Sequence, residues 1–244
     1  MLDQSELTRY NRQLIIPDIV EEGQRRLKNS HVVVVGVGGL GCASSIYLTA
    51  AGVGHITIVD FDAVELSDLN RQILYWEEDI GKKKIEVAQK KLSKLNQGVE
   101  ITPIFAKITE KNVHSVTDGT QIVVDGLDNL PARLVVNSAC IKQRLPYIYG
   151  CVSRLRGMIT TIIPGKTLCL ACAHPEGPKG LGVLGVTPAV IANLQALEAI
   201  KIIIGHSPSL AGKLLLFNGN DLKFRVYDIK RDENCKVCSS VLST

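Results

Sequence analysis

Two groups of residues could do chemistry in this chain: four cysteines in two short pairs, and a glycine run followed by an acid. Cys169-Leu170-Ala171-Cys172 and Cys235-Lys236-Val237-Cys238 each offer one metal ion two thiolates from a tight turn. Together they complete a four-sulfur tetrahedral shell, the usual closed structural zinc site, with no position left for catalysis at the metal. The competing reading is a redox CxxC or two unrelated turns. The pairs are matched and neither follows a thioredoxin-like strand, which favours zinc. Their separation means that the ion would clamp the tail of the chain to its middle. Cys42, Cys140 and Cys151 sit in apolar context and read as core residues.

The glycine run is Gly36-Val37-Gly38-Gly39-Leu40-Gly41. Before it, Val32, Val33, Val34 and Val35 read as a strand buried on both faces. After it, small and apolar residues recur at helical spacing until Gly52, and His55 to Val59 forms a second strand ending in Asp60. Strand, glycine turn, helix, strand, acid is a nucleotide-binding βαβ unit. The glycines let backbone N–H groups approach a phosphate, the helix N-terminus adds a positive dipole end, and Asp60 can accept from ribose hydroxyls. Alone, the unit fits a dinucleotide as well as ATP.

The elements that position these groups follow a clear rhythm. Residues 5 to 29 predict two short helices studded with Arg9, Arg12, Arg25 and Arg26. Ser67 to Gln72 resembles a short capped turn. Helices are expected over 82–95, 109–116 and 131–144, and strands over 99–105, 121–125 and 146–149. Alternation over this length implies a doubly wound, mostly parallel, Rossmann-like α/β sheet. Past Gly150 the segments 151–156, 158–163, 214–217 and 224–229 read as antiparallel strands extending that sheet, around one apolar helix over 188–204. With no repeat or low-complexity linker, residues 1–244 are expected to form a single domain with a nucleotide-binding half, 1–150, and a second half, 151–244, carrying the cysteine clamp.

Composition excludes several classes. The chain has 244 residues, 45% of them apolar, and a formal charge of +4, with Lys82-Lys83-Lys84 its densest basic run, so no nucleic-acid footprint is expected. The polar, acidic N-terminus is no signal peptide, and the apolar runs break before membrane-spanning length, so the expectation is a soluble cytoplasmic protein.

Arg9-Tyr10-Asn11-Arg12-Gln13, the glycine run, Ala51-Gly52-Val53-Gly54, Asp60-Phe61-Asp62, Asn70-Arg71-Gln72, Asp125 with Asp128-Asn129, both CxxC pairs and Gln195 to Lys201 together resemble the ThiF/MoeB/HesA family, relatives of ubiquitin-activating enzymes. The resemblance covers essentially the whole chain. It implies a homodimeric adenylyltransferase that uses ATP and magnesium to activate the C-terminal glycine of a ubiquitin-like sulfur carrier protein, releasing pyrophosphate. It further implies that Gly36, Gly38, Gly39 and Gly41 hold the nucleotide and Asp60 the ribose. Arg71 and Lys84 would face the phosphates, Asp128 would hold Mg2+, and Arg12 would reach into the partner's ATP site. Asn70 and Asn129 would orient phosphate or ribose. Asp62 is counted with the nucleotide site, although Asp62 and Asp125 could equally cap local turns; Lys82 and Lys83 read as solvated. The second half would bind the carrier.

One departure stands out. Many relatives carry a cysteine on a crossover segment after the first CxxC, and residues 173–185 contain none. A thiolate is the side chain suited to a thioester or acyl disulfide. The expectation is therefore adenylation without a covalent enzyme intermediate, with sulfur supplied by a separate persulfide donor. His174 in that segment reads as exposed, and the glycine-rich 177–185 as a cover for the tail-binding groove. Competing functions are an NAD- or FAD-dependent oxidoreductase, adenylation of a small-molecule carboxylate, and a non-catalytic binding module.

Overall fold

In the computed structural model, which describes residues 1–173 and 182–239, the strands form one sheet of eight in the order β3-β2-β1-β4-β5-β6-β7-β8. The strands are β1 (His31–Val35), β2 (His55–Asp60), β3 (Glu100–Phe105), β4 (Ile122–Asp125), β5 (Tyr147–Ser153), β6 (Arg156–Ile162), β7 (Lys213–Asn218) and β8 (Lys223–Asp228). The helices are α1 (Gln4–Arg9), α2 (Asn11–Leu14), α3 (Val20–Lys28), α4 (Gly39–Ala51), α5 (Lys84–Leu95), α6 (Val113–Val116), α7 (Leu130–Gln143), α8 (Leu170–Ala173) and α9 (Val186–Ile204). Strands β3 to β5 pair in parallel, and the pairs β5–β6, β6–β7 and β7–β8 are antiparallel. This is the doubly wound sheet with an antiparallel extension that the alternation of elements implies. The order reverses at β1, so β2 and β4 flank it and the crevice at their C-terminal ends receives the glycine loop.

Three boundaries differ from the sequence expectation. The N-terminal helical region is three helices, because Tyr10 closes α1 with its own N–H and starts α2. The expected strands 146–149 and 151–156 are one strand, β5, running through Gly150. A Cβ at Gly150 would sit 2.7 Å from the Gln195 amide, so the glycine makes room for a helix side chain and does not break the strand. The helix expected over 109–116 forms only at Val113–Val116.

Two apolar layers sandwich the sheet. On one face α3, α4, α5 and α9 pack around Leu48, Ile56, Ile122 and Ile191; on the other α6, α7 and the cysteine clamp cover Val33, Val123 and Tyr147. Val32 to Val35 are buried throughout, and each contributes about 1.5–3 kcal/mol by leaving water. Among the described residues α9 is the one helix long and apolar enough to cross a membrane, and half of it is buried inside the protein.

The Arg9–Gln13 motif divides into parts in the structure. The Tyr10 hydroxyl accepts from Asn96 Nδ2 at 2.8 Å, and Gln13 Nε2 donates to Gln24 and to the Ala51 carbonyl. These bonds pin the N-terminal helices to the C-terminal end of α4, where Gly52 has φ +85° and a Cβ would strike the Tyr10 hydroxyl. Arg12 is exposed beside them and makes no hydrogen bond or ion pair among the described residues.

Candidate active site

The glycine loop sits where β1, β4 and α4 meet. Gly36 has φ +88°, and a Cβ there would lie 2.7 Å from the Gly126 carbonyl oxygen. A Cβ at Gly41 would lie 1.9 Å from the Gly36 carbonyl oxygen. These two glycines are required by backbone-to-backbone packing. Gly38 differs: a Cβ there meets nothing closer than 3.9 Å, so its missing side chain leaves open space. At Gly39 a Cβ would make ordinary contact with Pro188, 3.4 Å away. No side chain caps the first turn of α4. Its orphan N–H groups and the positive end of its dipole are thus available to an anion. Gly41→Ala is expected to yield no folded protein. Gly38→Ala is expected to keep its melting temperature within about 5 °C while losing most ATP affinity, as calorimetry on soluble protein will show.

Other groups converge here. A Cβ at Gly185 would touch the Asn70 carbonyl, and Gly39 faces both Pro188 and the Arg71 side chain. The N-termini of α4 and α9 therefore lie side by side against Arg71, two positive helix ends beside one cation. Asp60 is buried at the end of β2 and accepts from the Val37 N–H at 2.8 Å and the Asp62 N–H at 2.9 Å. Each carboxylate oxygen retains capacity for another donor. Lys84 opens α5 and is buried; its Nζ lies 3.1 Å from Asp68 and 3.7 Å from Asp62. Burial first, then Asp60, with Asp128 and Asp68 behind, pushes the Asp62 carboxyl above the usual range against the pull of Lys84. Those causes place four carboxylates and one ammonium within electrostatic reach of each other.

Asp128 and Asn129 are exposed after β4. Asn129 Oδ1 caps α7 by accepting from the Ala132 N–H at 3.0 Å, and its Nδ2 donates to Asp128 Oδ1 at 3.1 Å. Asn70 is exposed and accepts from Arg71 Nη1 at 3.2 Å. Lys82 and Lys83 are exposed, as expected, and pair with Asp79 and Glu86. Arg12 is placed elsewhere. Its neighbour Gln13 bonds the Ala51 end of α4, about 18 Å along the helix from Gly39. It does not reach the glycine loop of this chain.

Sequence reasoning missed several supports. Asp68 is buried; it accepts from Arg71 Nη2 at 3.3 Å, Gln72 Nε2 at 2.6 Å and the Glu65 N–H at 3.1 Å, and is ion-paired with Lys84 Nζ at 3.1 Å. The Asp68–Arg71–Gln72 spacing of three and four residues, which aligns side chains on one turn, was the available signal. Asp125 is fully buried; it accepts from the Leu127 N–H and pairs with Arg133 at 3.0 Å, which serves the loop and not a ligand. Burial pushes its carboxyl up while Arg133 pulls it back. Gln195 donates to the Asp125 and Ile148 carbonyls, and Glu198 accepts from Thr161, Ser209 and Leu210, so both fasten α9 in place.

The cysteine pairs come together as their spacing predicts. All four sulfurs lie within 4.8 Å of one another, with Cys169–Cys172 at 3.8 Å, Cys169–Cys235 at 3.7 Å and Cys172–Cys238 at 3.4 Å. A tetrahedron with Zn–S bonds of about 2.3 Å has sulfur–sulfur edges of about 3.8 Å. The four sulfurs thus fit a zinc ion and are too far apart for disulfides. Burial pushes the Cys169 thiol up to about 11; at Cys235 burial is overcome by the Cys238 and Val237 N–H groups, which bring it down to about 7. Cys42 is a core residue, its thiol pushed up to about 12 by burial. A separate cleft of about 400 Å3 lies at the other end of the sheet, against Gln121; its Arg25 and Arg26 are already paired with Glu22. His174 and the part of the expected groove cover up to residue 181 lie outside the described residues.

Known proteins are similar to this chain in sequence and in fold. The chain is 38% identical over 245 residues to the SAMP-activating enzyme E1 of Haloferax volcanii, covering 97% of this chain and 90% of that one. It is 40% identical over 247 residues to the sulfur carrier protein adenylyltransferase of Thermus thermophilus, covering 96% and 91%. The crystal structure of E. coli MccB with AMPCPP and MccA superposes with a TM-score of 0.82 at 28% identity, over 89% of this chain and 69% of that one. The ThiF family profile matches residues 10–237, and the chain belongs to the ThiF family.

Proposed function

We propose that this protein is an ATP- and magnesium-dependent adenylyltransferase that activates the C-terminal glycine carboxylate of a ubiquitin-like sulfur carrier protein. The observation that carries this reading is the meeting of two helix N-termini, an open glycine cradle, Arg71 and Lys84 at one crevice. Two cations beside the α4 N-terminus suit the triphosphate of ATP better than the diphosphate of a dinucleotide. In the proposed reaction a carboxylate oxygen of the carrier attacks the α-phosphorus of ATP. The bond to the α–β bridging oxygen breaks, acyl-AMP forms and pyrophosphate leaves. Arg71, Lys84 and the first turn of α4 compensate charge on the phosphates, and the glycines Gly36 to Gly41 shape their cradle. Asp60 accepts from the ribose, with Asp62 beside it. Asn70 steadies Arg71, and Asn129 orients Asp128.

Asp62 and Asp128 are carboxylates within electrostatic reach of each other, a donor set that suits a hard cation. Mg2+ there would neutralise phosphate charge and the leaving pyrophosphate. The homodimer reading is supported by the placement of Arg12, remote from its own glycine loop and without a partner among the described residues. Tyr47 on α4 and Leu197 on α9 support it too, as exposed apolar groups at similar heights on packed helices. The 1–150 half would hold ATP and the 151–244 half the carrier. Strand register puts Met158, Leu216 and Arg225 in one row on the sheet face opposite α9, a surface for a ubiquitin-like fold. We place the enzyme in the cytoplasm, where its carrier and a persulfide donor would be found.

With no cysteine in 173–185, discharge of the acyl-adenylate falls to that external donor. Incubating the enzyme with ATP, Mg2+ and candidate carriers, then recording intact masses, tests this. The expected result is a carrier gaining an adenylyl group and an enzyme of unchanged mass; an enzyme–carrier thioester would contradict it.

A further inference from the structure

We propose that Asp68 is a positioning residue that holds Arg71 and Lys84 as one preset pair of phosphate-facing cations, a role that rests on the nucleotide-site reading above. Asp68 is 5% exposed, and both of its oxygens are engaged. Oδ1 takes Arg71 Nη2 and Gln72 Nε2; Oδ2 takes Lys84 Nζ and the Glu65 N–H. One buried carboxylate thus bridges two cations that come from different elements, Arg71 from the loop after β2 and Lys84 from the start of α5. Nothing else among the described residues bonds both.

Donor counting separates positioning from obstruction. A guanidinium has five N–H donors and an ammonium three. Arg71 uses Nη1 for the Ser67 carbonyl and Asn70, and one Nη2 hydrogen for Asp68. Its Nε–H and second Nη2–H have no partner among the described residues. Lys84 is ion-paired with Asp68 at 3.1 Å and leans toward the half-exposed Asp62 at 3.7 Å. Each cation can therefore meet a phosphate oxygen without releasing Asp68. Holding the head groups beforehand removes the side-chain ordering cost that two free long side chains would bring to binding.

A carboxylate is needed because all four surrounding groups are donors. An amide at this position would turn an NH2 toward one of them and leave buried Lys84 only the half-exposed Asp62 as counter-charge. Gln72 and the Glu65 N–H fix the carboxylate itself, so the chain of support runs from loop backbone to Asp68 to the two cations.

Calorimetry with ATP and with adenosine, on the full chain with zinc and Mg2+ present, tests the role. Asp68→Asn is expected to weaken ATP binding about tenfold or more and adenosine binding less than about twofold, because only ATP presents phosphates to the displaced cations. A residue that merely braced the loop would weaken both ligands alike. Equal weakening, or no change for ATP, overturns the proposal. Asp68→Glu keeps the charge but moves it by one methylene, and it serves if Asp68→Asn does not fold; the same split between ligands is expected, and equal effects overturn the proposal. If the wild-type protein binds no ATP, the nucleotide-site reading itself fails, which the wild-type titration shows before any variant is compared.

Discussion

Arg71→Ala is expected to lower carrier-dependent ATP–pyrophosphate exchange by on the order of 100- to 1000-fold, the usual cost of removing one preset donor from a charge-stabilising site. Arg71 lies against the N-terminus of α9 and the glycine loop, and it is held by Ser67, Asn70 and Asp68. In the proposed reaction its loss removes positive charge where the β- and γ-phosphates separate from the α-phosphate. Folding should barely change, since the side chain is part-exposed and its backbone contacts survive. Thermal melting within about 5 °C of wild type, together with the lost exchange, is the expected pair of results. Unimpaired exchange would mean that Arg71 does not face the phosphates.

Removing the metal from the cysteine clamp should have the other large effect, on stability. The clamp joins residues 169–172 to 235–238 and lies in the apolar layer with Val33, Val123 and Tyr147. The N–H of Leu170 also donates to Asn137, one turn along α7 from Arg133, so the clamp and the nucleotide loop share a helix. Binding free energies of structural zinc run to about 10 kcal/mol or more, comparable to the whole stability of a domain. Chelation, or Cys172→Ser, is expected to lower the melting temperature by more than about 10 °C and to make the tail beyond β8 protease-sensitive. One zinc per chain by elemental analysis should accompany full stability. A chain that melts at the same temperature without metal would show that the sulfurs are only packed together.

What the sequence displayed and what it hid follow from how local each feature is. The glycine cradle, Asp60 and the cysteine pairs were legible because each depends on spacing within a few residues. The parallel sheet was legible because valine runs alternate with helical periods. Gly150 misled: it reads as a strand break, yet its meaning comes from Gln195, 45 residues later in the numbering. Asp125 and Asp68 were opaque for the same reason. Their partners, Arg133 and Lys84, are chosen by the tertiary fold, and a carboxylate beside a turn looks alike whether it caps the turn or holds two cations. Of the motif around Tyr10, packing assigns Tyr10 and Gln13 to structure and leaves Arg12 without a partner among the described residues. Packing also sorted the glycines: Gly36 and Gly41 serve the backbone, and Gly38 leaves space.

The central claim is that this crevice joins a carrier's carboxylate to AMP. Purified protein with ATP, Mg2+ and the small ubiquitin-like polypeptides of its own cell should return labelled pyrophosphate into ATP, and do so only when one of those polypeptides has a free C-terminal glycine. Absence of label in ATP with every such polypeptide, from protein that is folded and zinc-loaded, would contradict the account.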